Sequence, residues 1–201
     1  MLDGWAHRKI DPGLSAMAAQ LAAAGVRANA VTYAGLVLGF AAAAAIAFQA
    51  YWAGFALILA SRLCDGLDGA IARIHGKTDF GGYLDIVLDF AFYGAVPLGF
   101  IIADPGANAI AGAVLLLAFY VNGASFLAYA IMAEKHRLKS DARGEKSLFF
   151  TTGLAEASET LAVFVAMCLL PSWFPVLAYG FAVLTAYTTV SRIVLAGRRF
   201  G

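Results

Sequence analysis

Six long apolar runs, at residues 30–49, 51–74, 80–102, 107–133, 152–170 and 173–196, follow one another with short polar segments between most of them. Each is long enough to cross the hydrocarbon core of a bilayer as an α-helix. Lipid offers the backbone no hydrogen-bonding partner, so such a run must satisfy its own peptide groups, and a helix does so. The sequence therefore predicts an all-α integral membrane protein with six transmembrane helices. A hydrophobic content of 62% over 201 residues, with 13% charged, places the chain outside the soluble globular range. A net charge of +1 leaves no basic surface for nucleic acid, which is not an expected partner.

An even number of spans puts both termini on one side, and the basic residues say which. Every lysine and arginine except Arg62 falls on one face, from Arg8 and Lys9 through Arg27, Arg73, Lys77 and Lys135 to Arg192, Arg198 and Arg199. Cytoplasmic segments carry that excess. The opposite loops, around Ala50, from Asp104 to Asn108 and around Pro171, hold none, and Trp52 and Trp173 sit there as interfacial anchors. The one substantial loop, 134–151, carries Lys135, His136, Arg137, Lys139, Arg143 and Lys146; it reads first as an anchor on anionic lipid.

The chain divides into residues 1–26 and a membrane domain over 27–201. In the first part Leu14, Met17, Ala18 and Leu21 recur at i, i+3, i+4 and i+7, with Asp11 as N-cap, Pro12 at the first helical position and Gly25 as the stop. This pattern predicts an amphipathic interfacial helix lying on the membrane surface, in preference to a cleaved signal peptide. Cys64 and Cys168 fall near opposite faces of the bilayer, too far apart to be bridged.

Within these apolar runs stand four aspartates, Asp65, Asp68, Asp85 and Asp89. Each carboxylate at bilayer depth costs roughly 2.5 to 3.5 kcal/mol, so four together mark a functional site by default. Asp65 and Asp68 are three apart and Asp85 and Asp89 four apart, which puts each pair on one helical face. Asp68 precedes and Asp85 follows the intervening turn by similar lengths, so both sit about 9 to 10 Å from the same face and can converge. Clustered anions need compensation, and hard divalent cations, often paired in phosphoryl-transfer sites, want such oxygen ligands.

The cavity so formed would open to the cytosol and to the inner leaflet, as a substrate with a phosphate head and an apolar tail requires. Gly66, Gly69, Gly81 and Gly82 either allow close approach of metal or phosphate to the backbone or serve helix packing. Arg73 is placed to hold phosphate oxygens in a bidentate fork, with a plain stop-signal role as the alternative. Arg62 is expected to pair with an acid, which reduces its burial cost.

The run D-x2-D-G-x2-A-R-x7-G-x3-D-x3-D, filled by Asp65, Asp68, Gly69, Ala72, Arg73, Gly81, Asp85 and Asp89, resembles the signature of the CDP-alcohol phosphotransferases. The family pattern has eight residues, not seven, between the arginine and the next glycine, so the turn here is one residue shorter. The resemblance implies that Asp65, Asp68 and Asp85 ligate a pair of Mg²⁺ or Mn²⁺ ions with Asp89 alongside. It also makes Asp89 the general base and Gly69, Arg73 and Thr78 contacts to the CDP diphosphate. Asn29 to Thr32 is similar to the family's N-x-[VL]-T entry to its first core helix, which adds Asn29 and Thr32 to the CDP site. Lys146-Ser147 looks like the pair before the fifth helix.

The expected reaction is attack of an acceptor hydroxyl on the lipid-side phosphorus of a CDP-alcohol, with release of CMP. By resemblance of length to bacterial enzymes the donor is expected to be CDP-diacylglycerol and the location an inner (cytoplasmic) membrane, with the site facing the cytoplasm. Glycerol 3-phosphate is the first acceptor considered, held by Lys146, Lys139 and Arg143. Glu156 and Glu159, if they face the cavity, would repel a phosphate, which keeps an uncharged, amino-alcohol or inositol-type acceptor as the alternative; they could equally be structural, capping a helix start. Expected partners are the CDP-alcohol lipid and membrane lipids, and the resemblance allows a homodimer. From a different class, a divalent-cation transporter or a lipid-binding scaffold could display the same acids, although the outer halves of the spans offer few ionisable residues.

Overall fold

The protein, described here as a computed structural model over residues 3–136 and 157–201 with residues 3–12 as backbone only, is all-helical in those segments. In chain order the helices are α1 (Asp3–Ala23), α2 (Ala28–Ala47), α3 (Tyr51–His75), α4 (Asp79–Ala103), α5 (Pro105–Lys135), α6 (Ala157–Leu169) and α7 (Phe174–Phe200). Among the described residues, α2, α4, α5 and the stretch Pro171–Phe200 are each long and apolar enough to cross a membrane. With 25 residues α3 has the length, and Arg62, Asp65, Asp68 and Arg73 lower its hydropathy. Residues 152–156 of the fifth predicted span lie outside the described residues, as do Lys139, Arg143, Lys146 and Glu156.

Local chemistry sets the helix ends. Gly25, at φ +80°, takes the left-handed conformation that stops α1, and the N–H of Val26 reaches back to the carbonyl of Leu21 at 3.0 Å. Gly76, at φ +97°, ends α3, and the Thr78 hydroxyl then caps α4 by accepting from the Gly81 N–H at 3.0 Å. Asp104 caps α5 in the same way, through the Ala107 N–H at 3.1 Å.

The start of α1 differs from the sequence expectation. It begins by Asp3, so Asp11 and Pro12 lie inside the helix and Asp11 is not its N-cap. Ala6, Arg8 and Lys9 are good helix formers and carry the helix upstream of the proline. Its apolar stripe is also a protein contact: Ala18 is fully buried, and Leu14 and Leu21 pack with it against Leu67, Ala70 and Ile71 of α3, while Met17 stays exposed.

The helices group unevenly. α2 packs along both α3 and α4, α5 packs along α7, and α4 joins the two groups through α5. Small residues set the spacing of the first group. Ser61 of α3 donates to the Gly35 carbonyl of α2 at 2.7 Å, and a Cβ at Gly39 would come 2.7 Å from the Phe92 ring of α4. An aromatic column of Phe92, Phe164, Phe119 and Phe181 fills the centre, with Phe100 stacked on Phe174 at 4.8 Å. Between α5 and α7, Arg192 donates to the Asn122 side chain at 3.0 Å and to the Ser125 hydroxyl at 2.6 Å.

The outward faces are apolar. Val37, Ile110, Leu117 and Val183 are each more than 60% exposed. Apolar cover on this scale is untenable in water and matches a lipid surround.

Candidate functional site

The four aspartates meet in a narrow cleft where α2, α3 and α4 join. α2 lines it with Thr32, Gly35 and Leu36, α3 with Arg62, Asp65 and Asp68, and α4 with Asp85, Leu88 and Asp89. Helical spacing turns each acid pair to one side of its helix, and the close α2 contacts bring the two faces together. One carboxylate oxygen from each of Asp65, Asp85 and Asp89 can be chosen so that all lie within 4.8 Å of one another. Asp68 lines the same cleft but stands outside that group of three.

The acids differ in surroundings. Asp85 is exposed and Asp65 and Asp89 are half-buried. Asp68 is buried, with the Thr32 hydroxyl and the Gly69 N–H beside its carboxylate, while its Oδ2 has no hydrogen-bond partner among the described residues. A buried anionic oxygen without a partner is costly. The donor set is entirely carboxylate, which suits Mg²⁺, Mn²⁺ or Ca²⁺ over softer metals. The residues therefore fit a hard divalent cation.

Arg62 enters the cleft from the middle of α3. Its Nη1 donates to Asp89 Oδ1 at 2.7 Å and lies 3.5 Å from Asp65 Oδ1. The guanidinium carbon sits 4.0 Å over the Phe92 ring. The sequence predicted an acid partner for Arg62 but not which one. Phe92 follows Asp89 by three residues on the same face of α4, which is the signal a closer reading could have used.

The remaining sequence candidates gather nearer the α3–α4 turn. Gly81 is flanked by Asn29 and Thr78: a Cβ there would meet Thr78 Oγ1 at 3.0 Å and Asn29 Oδ1 at 3.3 Å. A side chain at Gly81 would thus press on both residues and on the cap of α4. Thr32 donates to the Ala28 carbonyl at 3.1 Å and faces the cleft. Arg73 is exposed, one turn beyond Gly69, where a Cβ would lie 3.9 Å from its Nη1. Arg73, Thr78 and Asn29 do not line the aspartate cleft itself. Gly66 packs on Leu14 of α1, 3.2 Å from where its Cβ would stand, so it makes a helix contact. Cys64 and Cys168 are free thiols. Glu159 lies in the first turn of α6 and accepts from the Ser158 hydroxyl at 3.0 Å.

Comparison with known proteins bears on this geometry. Residues 26–194 match the model of the CDP-alcohol phosphatidyltransferase family. The inner membrane protein YnjF of Escherichia coli (strain K12) is 44% identical over 193 residues, spanning 96% of this chain and 94% of that protein. The fold is similar to that of the phosphatidylinositol phosphate synthase PgsA1 of Mycobacterium tuberculosis with CDP-DAG bound. The TM-score is 0.66 at 24% identity, over 90% of this chain and 92% of that one. The same enzyme in complex with manganese and citrate matches with equal score and identity, over 87% of its length.

Proposed function

This chain belongs to the CDP-alcohol phosphatidyltransferase family, and on that premise we propose that it transfers a phosphatidyl group from CDP-diacylglycerol to an acceptor hydroxyl, releasing CMP. The observation that carries the reading is the convergence of Asp65, Asp85 and Asp89 within 4.8 Å, with Asp68 in the same cleft. Asp65, Asp68, Asp85 and Asp89 would hold two Mg²⁺ or Mn²⁺ ions. Bound there, such ions would neutralise diphosphate charge and make the phosphorus more electrophilic. The manganese complex of PgsA1 supports the metal, and its CDP-DAG complex supports the donor.

In this reading Asp89 takes the proton from the acceptor hydroxyl as its oxygen bonds to the lipid-side phosphorus. The bond from that phosphorus to the bridging oxygen breaks, and CMP leaves with the electron pair. Arg73 and Gly69 bind the diphosphate at the turn end of α3, where a guanidinium beside a residue without a side chain leaves room for phosphate oxygens. Asn29, Thr32 and Thr78 complete the CDP site around Gly81. The Thr78 oxygen already accepts from Gly81, so its hydroxyl hydrogen remains to be offered to a ligand.

The membrane placement follows the charge pattern. We assign six spans, α2 to α7, with α3 crossing despite its charges because Arg62, Asp65 and Asp68 turn inward to the cleft and Arg73 lies in its last turn. Residues 1–26 form a separate juxtamembrane element and 27–201 the catalytic domain. The basic face is cytoplasmic, in an inner membrane like that of YnjF. Glycerol 3-phosphate is the first acceptor proposed, with Lys139, Arg143 and Lys146 as its contacts. The synthase activity in the name of PgsA1 keeps an inositol-type acceptor beside it. The test is CMP release by purified protein with Mn²⁺, CDP-diacylglycerol and a panel of polyols and polyol phosphates. Release with one acceptor establishes the reaction; none with any acceptor or other CDP-alcohol overturns it.

A further inference from the structure

Carboxylates crowded together repel one another, and a nearby positive charge offsets part of that repulsion. One such charge is built into the chain. Arg62 Nη1 donates to Asp89 Oδ1 at 2.7 Å while standing 3.5 Å from Asp65 Oδ1, so one nitrogen on α3 tethers an acid of its own helix and one of α4. Nη2 lies 3.4 Å from the Ser61 hydroxyl, which is itself fixed to the Gly35 carbonyl at 2.7 Å. The Phe92 ring supports the guanidinium from below, at 4.0 Å. The side chain is held from three sides and is 15% exposed.

This arrangement does not maximise the strength of the pair. A guanidinium that served neutralisation alone would engage one carboxylate bidentately through two nitrogens. Here a single nitrogen spans two acids, and the buried Nε has no partner among the described residues. What the geometry does maximise is definition of the Asp89 carboxylate.

We infer that Arg62 is a positioning residue for Asp89. By occupying Oδ1 it leaves Oδ2 as the oxygen that Asp89 offers to the cleft, and it fixes the rotation of the carboxylate about its terminal bond. A carboxylate free at both oxygens could chelate a cation bidentately or turn away from the acceptor hydroxyl. Arg62 removes both options. The inference rests on the proposed role of Asp89 as the base.

The test compares wild-type protein, Arg62→Lys and Arg62→Met for CMP release and for Mn²⁺ binding without substrate, read from the electron paramagnetic resonance signal of the free aqueous ion. Arg62→Met is expected to lower kcat by about tenfold or more with KM for CDP-diacylglycerol changed less than about threefold. Its Mn²⁺ affinity should be equal to or tighter than wild type, because a positive charge beside the ligands has gone. Arg62→Lys should recover part of the lost kcat. A purely structural role would instead move KM and Mn²⁺ affinity together with kcat. An unchanged kcat in both variants, or loss of Mn²⁺ binding along with kcat in both, overturns the inference. If Arg62→Met does not fold, Arg62→Lys decides, since it keeps the charge without the planar fork: a lower kcat at unchanged KM and Mn²⁺ affinity supports positioning, and wild-type kcat overturns it. Absence of CMP release by the wild-type protein itself overturns the proposed function and this inference with it.

Discussion

Gly39 of α2 faces the ring that supports Arg62, so replacing it tests helix packing and the site at once. The Cβ of valine at this position would come 2.7 Å from Cδ2 of Phe92 and 3.3 Å from the Ser61 hydroxyl oxygen. Carbon atoms settle about 3.5–4.0 Å apart, so the ring or the helix must give by about 1 Å. Phe92 is 1% exposed and its ring centroid lies 5.6 Å from Tyr93 and 6.0 Å from Phe164, which leaves no space to receive the displacement. Overpacking costs about 1–3 kcal/mol, and the two further carbons of valine place Gly39→Val at about 3 kcal/mol. For a chain of this size each kcal/mol shifts Tm by about 2–4 °C, so Tm falls by about 6–12 °C. Because the same ring carries Arg62, kcat should fall as well, by about tenfold or more.

Gly99→Val is the control. Its Cβ would come 2.5 Å from the Ala43 carbonyl oxygen, a comparable clash between α4 and α2. Gly99 lies about 15 Å along α4 from Asp89, beyond reach of the Arg62 platform. Thermal melts in detergent and CMP release measured on both variants separate the effects. Both should melt lower, and Gly39→Val should lose more kcat. A Gly39→Val protein with wild-type Tm, or equal loss of kcat in the two variants, would refute the reasoning.

Asp89→Asn should cut CMP release by about 10²–10⁴-fold while leaving Tm near wild type, since Arg62 keeps Asp65 as a partner at 3.5 Å. Normal turnover would remove Asp89 from the role of base. Asp68→Asn should weaken Mn²⁺ binding by about tenfold, equivalent to ~1.4 kcal/mol, because a buried oxygen of the proposed ligand set loses its charge; unchanged affinity in a Mn²⁺ titration would take Asp68 out of that set. Arg73→Ala should raise KM for the CDP-alcohol more than it lowers kcat, and an unaltered KM would leave Arg73 as a charge marking the end of the span.

Most of the helix plan is legible in the sequence because lipid leaves the backbone few options. The third run, read at 80–102, is α4 at Asp79–Ala103, and the fourth, read at 107–133, is α5 at Pro105–Lys135. The gathering of the acids is also legible, since spacings of three and four fix each pair to a face and equal depth brings the faces level. The partner of Arg62 is not, because Asp89 is 27 residues away and the pairing depends on how α4 is rotated against α3. Gly35 of α2 packs on Ser61 and Cys64 of α3 and Gly39 on Phe92 of α4, contacts that no local pattern reveals. The start of α1 is misread for the opposite reason: Asp11-Pro12 is a strong local signal, and the helical preference of the residues before it overrides it. Gly66 could be read either as an opening for phosphate or as a helix contact, and only the position of Leu14 on α1 decides between them.

The division between the α2–α3–α4 group and the α5–α7 pair has a consequence for how the protein is made. Every described residue lining the aspartate cleft lies between Thr32 and Asp89. In a chain made from its N-terminus every residue of the acid cluster is therefore joined before the first residue of α5, Pro105. Arg62 emerges ahead of the acids it holds, so Asp65 and Asp89 never need to enter lipid without a cation within the same chain. The three helices that line the cleft are thus consecutive in the chain. The later helices close over this group: the Phe164 ring of α6 packs 6.0 Å from the Phe92 ring on which Arg62 rests.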